Sequence, residues 1–262
     1  MTAHRQSPRK ELGQHFLVDE NVLAVVGRLA ELAPDDTVLE IGPGLGVLTV
    51  YLADRVSHVT AVEIDRSLEP RLLEALAGRG NVDLVFADAL ALDLSTLVPP
   101  PSKLVSNLPY SVATPIVADS LDGLPSVTRW CVMVQREVAE RFFAPPGTRA
   151  YGSVSVLLQL ATERVGFHPV ARGVFRPRPN VDSALVAFRR LGPLPHGFAE
   201  VRRVVQAAFA HRRKTLANSL ELAGLASRER AAAALAELGL EPSVRAERLR
   251  PEQFARLAEL LR

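Results

Sequence analysis

Thr37-Val38-Leu39-Glu40-Ile41, followed at once by Gly42-Pro43-Gly44-Leu45-Gly46, decides the fold of this chain. The first five residues read as a buried strand, and residues 45–52 carry the spacing of a helix. Between them lie three alternate glycines. Such a turn permits positive φ and lets a ligand approach the main chain at the C-terminal edge of a strand. The same alternation recurs downstream. Strands are predicted at 59–64, 82–86, 103–106 and 127–134, with a helix over 66–76 stopped by Gly78 and Gly80. Continuous apolar strands separated by helical patterns indicate a mostly parallel sheet covered on both faces. Two longer strands, at 153–161 and 182–188, bring the sheet to seven. Pro169 and the run Phe175-Arg176-Pro177-Arg178-Pro179-Asn180 forbid a regular ladder between those two and favour a stiff loop. A helix is also expected over 21–32, ahead of Pro34.

Beyond Gly192-Pro193-Leu194-Pro195 the pattern changes. Residues 201–210, 216–222, 228–238 and 254–261 all show helical apolar spacing, which predicts two domains, 1–191 and 192–262. The 262 residues suffice for that arrangement, and an apolar content of 48% supports a real core. The formal net charge of +2 is small but unevenly distributed. One basic cluster is His4, Arg5, Arg9 and Lys10. A denser one holds Arg202, Arg203, His211, Arg212, Arg213 and Lys214, the kind of local concentration a polyanion recognises. The single cysteine, Cys131, sits in an apolar run, so no disulfide framework or thiolate metal site forms within the chain. No metal constellation is formed by the six histidines. There is no apolar run long enough to span a bilayer, and the first 20 residues are polar, so a cytoplasmic protein with no membrane partner is expected.

The glycine turn excludes two common ligand sites. A dinucleotide fingerprint wants its third glycine where Val47 stands, and no Gly-Lys-Ser/Thr ending clamps a triphosphate. Gly42, Gly44 and Gly46 instead fit a nucleoside cofactor without a pyrophosphate, such as S-adenosylmethionine. Glu63, closing the second strand, can accept from both ribose hydroxyls, and Asp65 would do so if that strand ended later. After the third strand, Asp88 can accept from an adenine amine while Ala89 donates its main-chain N–H to the ring. A cap for the next turn is the competing role for Asp88. The three features follow three successive strands, so one ligand can meet all of them.

Asn107-Leu108-Pro109-Tyr110 follows the fourth strand. The amide oxygen can accept one hydrogen of an exocyclic amine, and the Leu108 or Pro109 carbonyl can take the other. Tyr110 can stack on the base, which must leave its helix or begin unpaired. Placed beside a cofactor turn, this constellation points to methyl transfer onto nitrogen. Gln14, His15 and Phe16 are candidates to cover the ligands from the N-terminal side. Phe143, Phe175 and Arg178 are candidates to frame the base, and Arg212, Arg213 and Lys214 to meet RNA phosphates.

These segments resemble the small-subunit ribosomal RNA adenine N6,N6-dimethyltransferase family. The resemblance rests on Gly13-Gln14-His15-Phe16-Leu17, the 40–46 turn, Glu63, Asp88-Ala89 and residues 107–110. It continues through Pro177-Arg178-Pro179-Asn180-Val181-Asp182-Ser183 and Phe209-Ala210-His211-Arg212-Arg213-Lys214-Thr215-Leu216, and so covers nearly the whole length. It implies a Rossmann-like class I methyltransferase sheet with a helical C-terminal domain. It also implies S-adenosylmethionine as cofactor and an immature small ribosomal subunit as the partner of a monomer. The implied reaction is dimethylation of two adjacent adenosines near the 3′ end of that RNA. The candidate cofactor set becomes Gln14, His15, Leu17, Gly42, Gly44, Gly46, Glu63, Ile64, Asp88, Ala89 and Asn107, with residues 107–110 catalytic. Similar scaffolds occur in the large-subunit adenine methyltransferases that confer macrolide resistance, which typically carry isoleucine where this chain has Leu108. That family, a catalytically weak RNA-binding assembly factor and, third, a nicotinamide oxidoreductase are the rival readings.

Overall fold

The computed structural model describes Phe16, Leu17 and residues 19–262. In chain order the first elements are β1 (Phe16–Leu17), α1 (Glu20–Ala30), β2 (Thr37–Ile41), α2 (Val47–Ala53), β3 (His58–Glu63), α3 (Glu69–Ala75) and β4 (Val82–Phe86). There follow β5 (Lys103–Asn107), α4 (Ala113–Gly123), β6 (Arg129–Gln135), α5 (Arg136–Phe142) and α6 (Ser153–Ala161). Then come β7 (Thr162–Val170), β8 (Phe175–Arg176) and β9 (Ser183–Arg190). The last helices are α7 (Phe198–Ala210), α8 (Leu216–Leu222), α9 (Arg228–Glu237) and α10 (Pro251–Leu260).

The chain forms two units. One holds the described residues up to Ala139 together with Arg164–Arg190; the other holds Glu140–Glu163 and Leu191–Arg262. In the first, local chemistry sets the helix ends. The Asp19 side chain accepts the Asn21 N–H at 2.8 Å to start α1, and Glu31, at φ 48°, ends it. Val22, Leu23, Val26 and Ala30 recur at helical spacing and are buried on the core side of α1. Alternation along the strands supplies both faces of the sheet. Val38, Val59, Val105 and Cys131 join α1 and α2 in one core cluster. On alternate positions Trp130 stacks on its ladder partner Phe188, centroids 5.3 Å apart, and donates its indole N–H to Ser120 Oγ at 2.8 Å.

Seven strands lie in the order β4-β3-β2-β5-β6-β9-β7. The expected parallel arrangement holds from β4 to β6, but β9 runs antiparallel to β6, so the sheet is mixed. Chain order reverses between β2 and β5. Their ladder holds only Val38↔Lys103 and Leu39↔Leu104. Beyond that register the two strands part, which opens a crevice at their carboxyl ends where α/β sheets bind ligands.

One expected strand is a helix. Residues 153–161 form α6, its first turn tied by the Gly152 N–H donating to Ser155 Oγ at 3.1 Å. Ser153-Val154-Ser155-Val156 alternates as a half-buried strand does, and so short a segment has no sustained period that separates helix from strand. The strand comes immediately after it as β7, and it includes Pro169, placed in the predicted loop. β7 is the last strand of the sheet, where a missing N–H on the open side breaks no ladder.

The second unit gathers α6 with α7 to α10. Tyr151 is fully buried there, its hydroxyl donates to the Leu249 carbonyl at 2.9 Å, and Phe209 lies edge-on to it. No described helix is long and apolar enough to cross a membrane.

Candidate active site

A cleft of about 1150 Å³, open mouth included, lies at the carboxyl ends of β2, β3, β4 and β5. The glycine turn forms one wall. Gly42, at φ 75°, donates its N–H to the Val62 carbonyl at 2.8 Å, and a Cβ there would stand 3.3 Å from the Pro109 ring. Gly44, at φ 60°, faces Phe16 so closely that a Cβ would meet the ring at 2.9 Å. Both positions therefore require a bare backbone and a left-handed turn. Gly46 points elsewhere. It heads α2, and a Cβ there would meet Leu72 and Ala75 near α3. Leu17 completes this side from β1.

Glu63 is buried at the end of β3 and braces the turn. Its Oε2 accepts the Gly44 N–H at 3.1 Å and its Oε1 the Asp65 N–H at 2.9 Å. Burial raises its pKa, the two N–H donors oppose that rise, and the Asp65 charge adds to it. Each carboxylate oxygen can accept more than one hydrogen bond, so the pair can also take ligand hydroxyls. Asp65 does not line the cleft; its side chain accepts from the Ser67 N–H and hydroxyl and caps the short turn beyond. Ile64 and Leu90 line it with unusually open side chains, 53% and 46% exposed. Asp88 is exposed and lines the cleft, while its Oδ1 accepts the Leu90 N–H at 2.9 Å in a local turn. Ala89 lies beside it on the wall.

Residues 107–110 form the opposite wall. Asn107 ends β5, half-buried, and Leu108 is held down by its N–H donating to the Met133 carbonyl at 3.0 Å. The Pro109 carbonyl already accepts the Val112 N–H at 3.1 Å. Tyr110 is half-buried and its hydroxyl lies 2.6 Å from Ser183 Oγ. Burial raises the phenol pKa, and the Ser183 hydroxyl opposes that rise.

Glu40 was not among the residues singled out from sequence. It is buried and lines the cleft, and among the described residues no partner satisfies its Oε2. Burial pushes its pKa up to about 8. The nearby Thr49 hydroxyl opposes the shift, although its oxygen too lacks a hydrogen-bond partner, and Glu63 reinforces it. The available signal was a carboxylate inside an otherwise apolar strand, a residue type seldom buried without a reason.

Phe175 and Arg178, the remaining described candidates of the first unit, do not line this cleft. Phe175 is fully buried, paired with Leu17 across β1 and β8, and belongs to the core cluster rather than the cleft lining. Arg178 is exposed in the loop before β9. Phe143, Arg212, Arg213 and Lys214 belong to the second unit. Within that unit Arg212 donates to the Arg149 and Tyr151 carbonyls at 3.2 and 3.0 Å, while the Arg213 and Lys214 side chains are exposed. Gln14 and His15 lie outside the described residues. Among the described residues no cluster of His, Cys, Asp or Glu could hold a metal ion.

The profile of the ribosomal RNA adenine dimethylase family matches residues 5–262. This chain belongs to that family. The small-subunit rRNA methyltransferase A of Rubrobacter xylanophilus is 47% identical over 250 residues, covering 95% of this chain and 94% of that protein. The crystal structure of the 23S rRNA methyltransferase ErmE is 33% identical and covers 94% of this chain and 99% of its own, with a TM-score of 0.67. A dimethyladenosine transferase from Plasmodium falciparum, at 24% identity, covers 93% of this chain and 96% of its own with a TM-score of 0.75, and so shares the fold. The chain is an S-adenosylmethionine-dependent rRNA adenine methyltransferase, and the cleft fits that cofactor. Bare glycine backbone, the buried acceptor Glu63 and the open apolar side chains of Ile64 and Leu90 suit a nucleoside. The unpartnered Glu40 oxygen suits a cationic group.

Proposed function

We propose that this chain dimethylates N6 of two adjacent adenosines near the 3′ end of small-subunit rRNA, acting on an immature ribosomal subunit in the cytoplasm. The observation that carries the reading is the Asn107–Tyr110 wall facing the glycine turn, with the Pro109 ring against Gly42. Greater identity to the small-subunit relative than to the 23S enzyme favours that RNA.

Bound S-adenosylmethionine supplies a methyl group on a positive sulfur, a good electrophile needing no further activation. What the protein must supply is aim, because an adenine amine is delocalised into its ring and is a poor nucleophile. Asn107 accepts one amine hydrogen through its side-chain oxygen. The Leu108 carbonyl takes the other more readily than the Pro109 carbonyl, which already bonds Val112. Those two bonds point the nitrogen lone pair, and Tyr110 holds the base plane by stacking. Positioning of this kind is worth orders of magnitude without a strong general base. A neutral amide does this without the desolvation cost of a buried charge. Glu63 and Asp88 hold ribose and adenine of the cofactor, and Arg213 and Lys214 contact RNA phosphates.

The test is transfer of labelled methyl groups from S-adenosylmethionine to immature small and large subunits offered separately. Dimethyladenosine in the small-subunit RNA alone is expected. Label confined to the large-subunit RNA would reassign the target to the one ErmE modifies. Tight subunit binding with no transfer would leave only an assembly factor.

A further inference from the structure

Ser183 lies 73 residues beyond Tyr110 in sequence, yet its Oγ is 2.6 Å from the Tyr110 hydroxyl. The serine is fully buried as the first residue of β9. Its main chain is held twice. It pairs with Gln135 at the end of the β6–β9 ladder, and the preceding residue, Asp182, accepts the Arg136 N–H at 3.0 Å. Only χ1 is left to the Ser183 side chain, so its oxygen is a fixed point on a rigid strand.

Tyr110 is different. It follows β5 in a turn closed by the Val112 N–H to the Pro109 carbonyl, and nothing in a turn by itself dictates where an aromatic ring points. Its hydroxyl sits on the ring's long axis, so a bond there fixes the direction of that axis. Ring position is thereby set from both ends, by the turn at Cα and by the β9 strand at Oη. From these contacts we infer that Ser183 is a positioning residue for Tyr110, holding the aromatic ring in the orientation that receives the target base. The inference rests on the reading that Tyr110 stacks on that base. It also gives a task to the end of the proline-rich segment, since residues 177–182 deliver the chain to Ser183.

The experiment is a double-mutant cycle of Ser183→Ala and Tyr110→Phe, with Tyr110→Ala as a control. Single-turnover methyl transfer to immature small subunits, KM for that RNA, S-adenosylmethionine affinity and the unfolding midpoint are read for each variant. Each single change is expected to lower the transfer rate about five- to tenfold, the net worth of one buried hydrogen bond expressed in the reactive complex. The double variant should be no slower than either single one, because both remove the same bond. Cofactor affinity should stay within twofold. Additive losses in the double variant overturn the inference, as does a Ser183→Ala protein that melts earlier but transfers at the parent rate. Should Ser183→Ala fail to fold, Tyr110→Phe breaks the same bond from its half-buried end, and a parent rate there overturns the inference equally. Tyr110→Ala separates the two layers. If it leaves transfer intact, the stacking role itself is wrong; if it abolishes transfer while Ser183→Ala does nothing, only the positioning role falls.

Discussion

Ser106 Oγ accepts the main-chain N–H of Ile41 at 2.8 Å, across the two strands whose separation forms the cleft. The main-chain ladder between β2 and β5 has stopped two residues earlier, at Leu39 and Leu104. The side chain therefore does what a carbonyl would do in a regular ladder, and it does so with both residues buried. Gly42 and Asn107 are the next residues along each strand. One hydroxyl thus holds the cofactor wall and the target wall at a set distance.

Replacing Ser106 by alanine leaves the buried Ile41 N–H without a partner. A cost of about 1–3 kcal/mol to stability is expected. Denaturant unfolding measures it, together with a loss of S-adenosylmethionine affinity as the walls drift. An unchanged midpoint would show that water or a shifted carbonyl replaces the hydroxyl without penalty.

Glu40 makes the unloaded protein sensitive to pH. Its folded pKa of about 8 lies above the ordinary value of 4.5, so between those limits the folded state binds more protons than the unfolded one. Stability then falls as pH rises through that window and levels off above it. The upward shift of Glu63 acts in the same direction. Glu40→Gln removes the Glu40 part of the slope. Its unfolding free energy, relative to the parent's, should rise between pH 4.5 and pH 8 by an amount on the order of a few kcal/mol. Parallel curves for parent and variant across that range would remove the buried acid from the explanation.

Gly44→Ala tests the cradle. A left-handed conformation costs an alanine about 1–2 kcal/mol, and the new methyl meets the Phe16 ring at 2.9 Å. The ring or the turn must give, and if the turn moves, Glu63 loses its Gly44 donor. Roughly tenfold weaker S-adenosylmethionine binding is expected by calorimetry, for a loss of about 1.4 kcal/mol. Parent affinity in this variant would mean that Phe16 yields freely and the turn does not.

Much of this site was legible because its candidates share one address. Gly42, Glu63, Asp88 and Asn107 all stand where an apolar strand gives way to polar or glycine residues, and a parallel sheet brings such ends to one edge. Where strand ends were misjudged the reading failed. Ser153-Val154-Ser155-Val156 alternates like a strand at the start of a short segment, so periodicity did not distinguish α6 from a strand. Local pattern also cannot say which way a side chain faces once the backbone turns. Gly46 fits the alternate-glycine rhythm yet packs toward α3, and Phe175 is buried in the core cluster opposite Leu17 rather than lining the cleft. Glu40 escaped because a single acid in a strand carries no spacing signal. Only tertiary burial reveals that its oxygen has no partner among the described residues.

Asn107 is the side chain on which the target reading stands. At the end of β5 it faces Met133 across the ladder, and its neighbour Leu108 is fixed by the Met133 carbonyl, so the amide is carried on rigid backbone. Truncation to alanine removes the acceptor while leaving that backbone, the glycine turn and Glu63 in place. Transfer should therefore drop by about a hundredfold or more, the scale seen when a group that aims a reacting atom is lost. S-adenosylmethionine affinity should change by less than about tenfold, since the other cofactor-facing groups remain. Single-turnover rates and calorimetry on one preparation separate the two effects. A variant that binds the cofactor poorly but, once saturated, transfers at the parent rate would move Asn107 from aiming the amine to holding the cofactor alone.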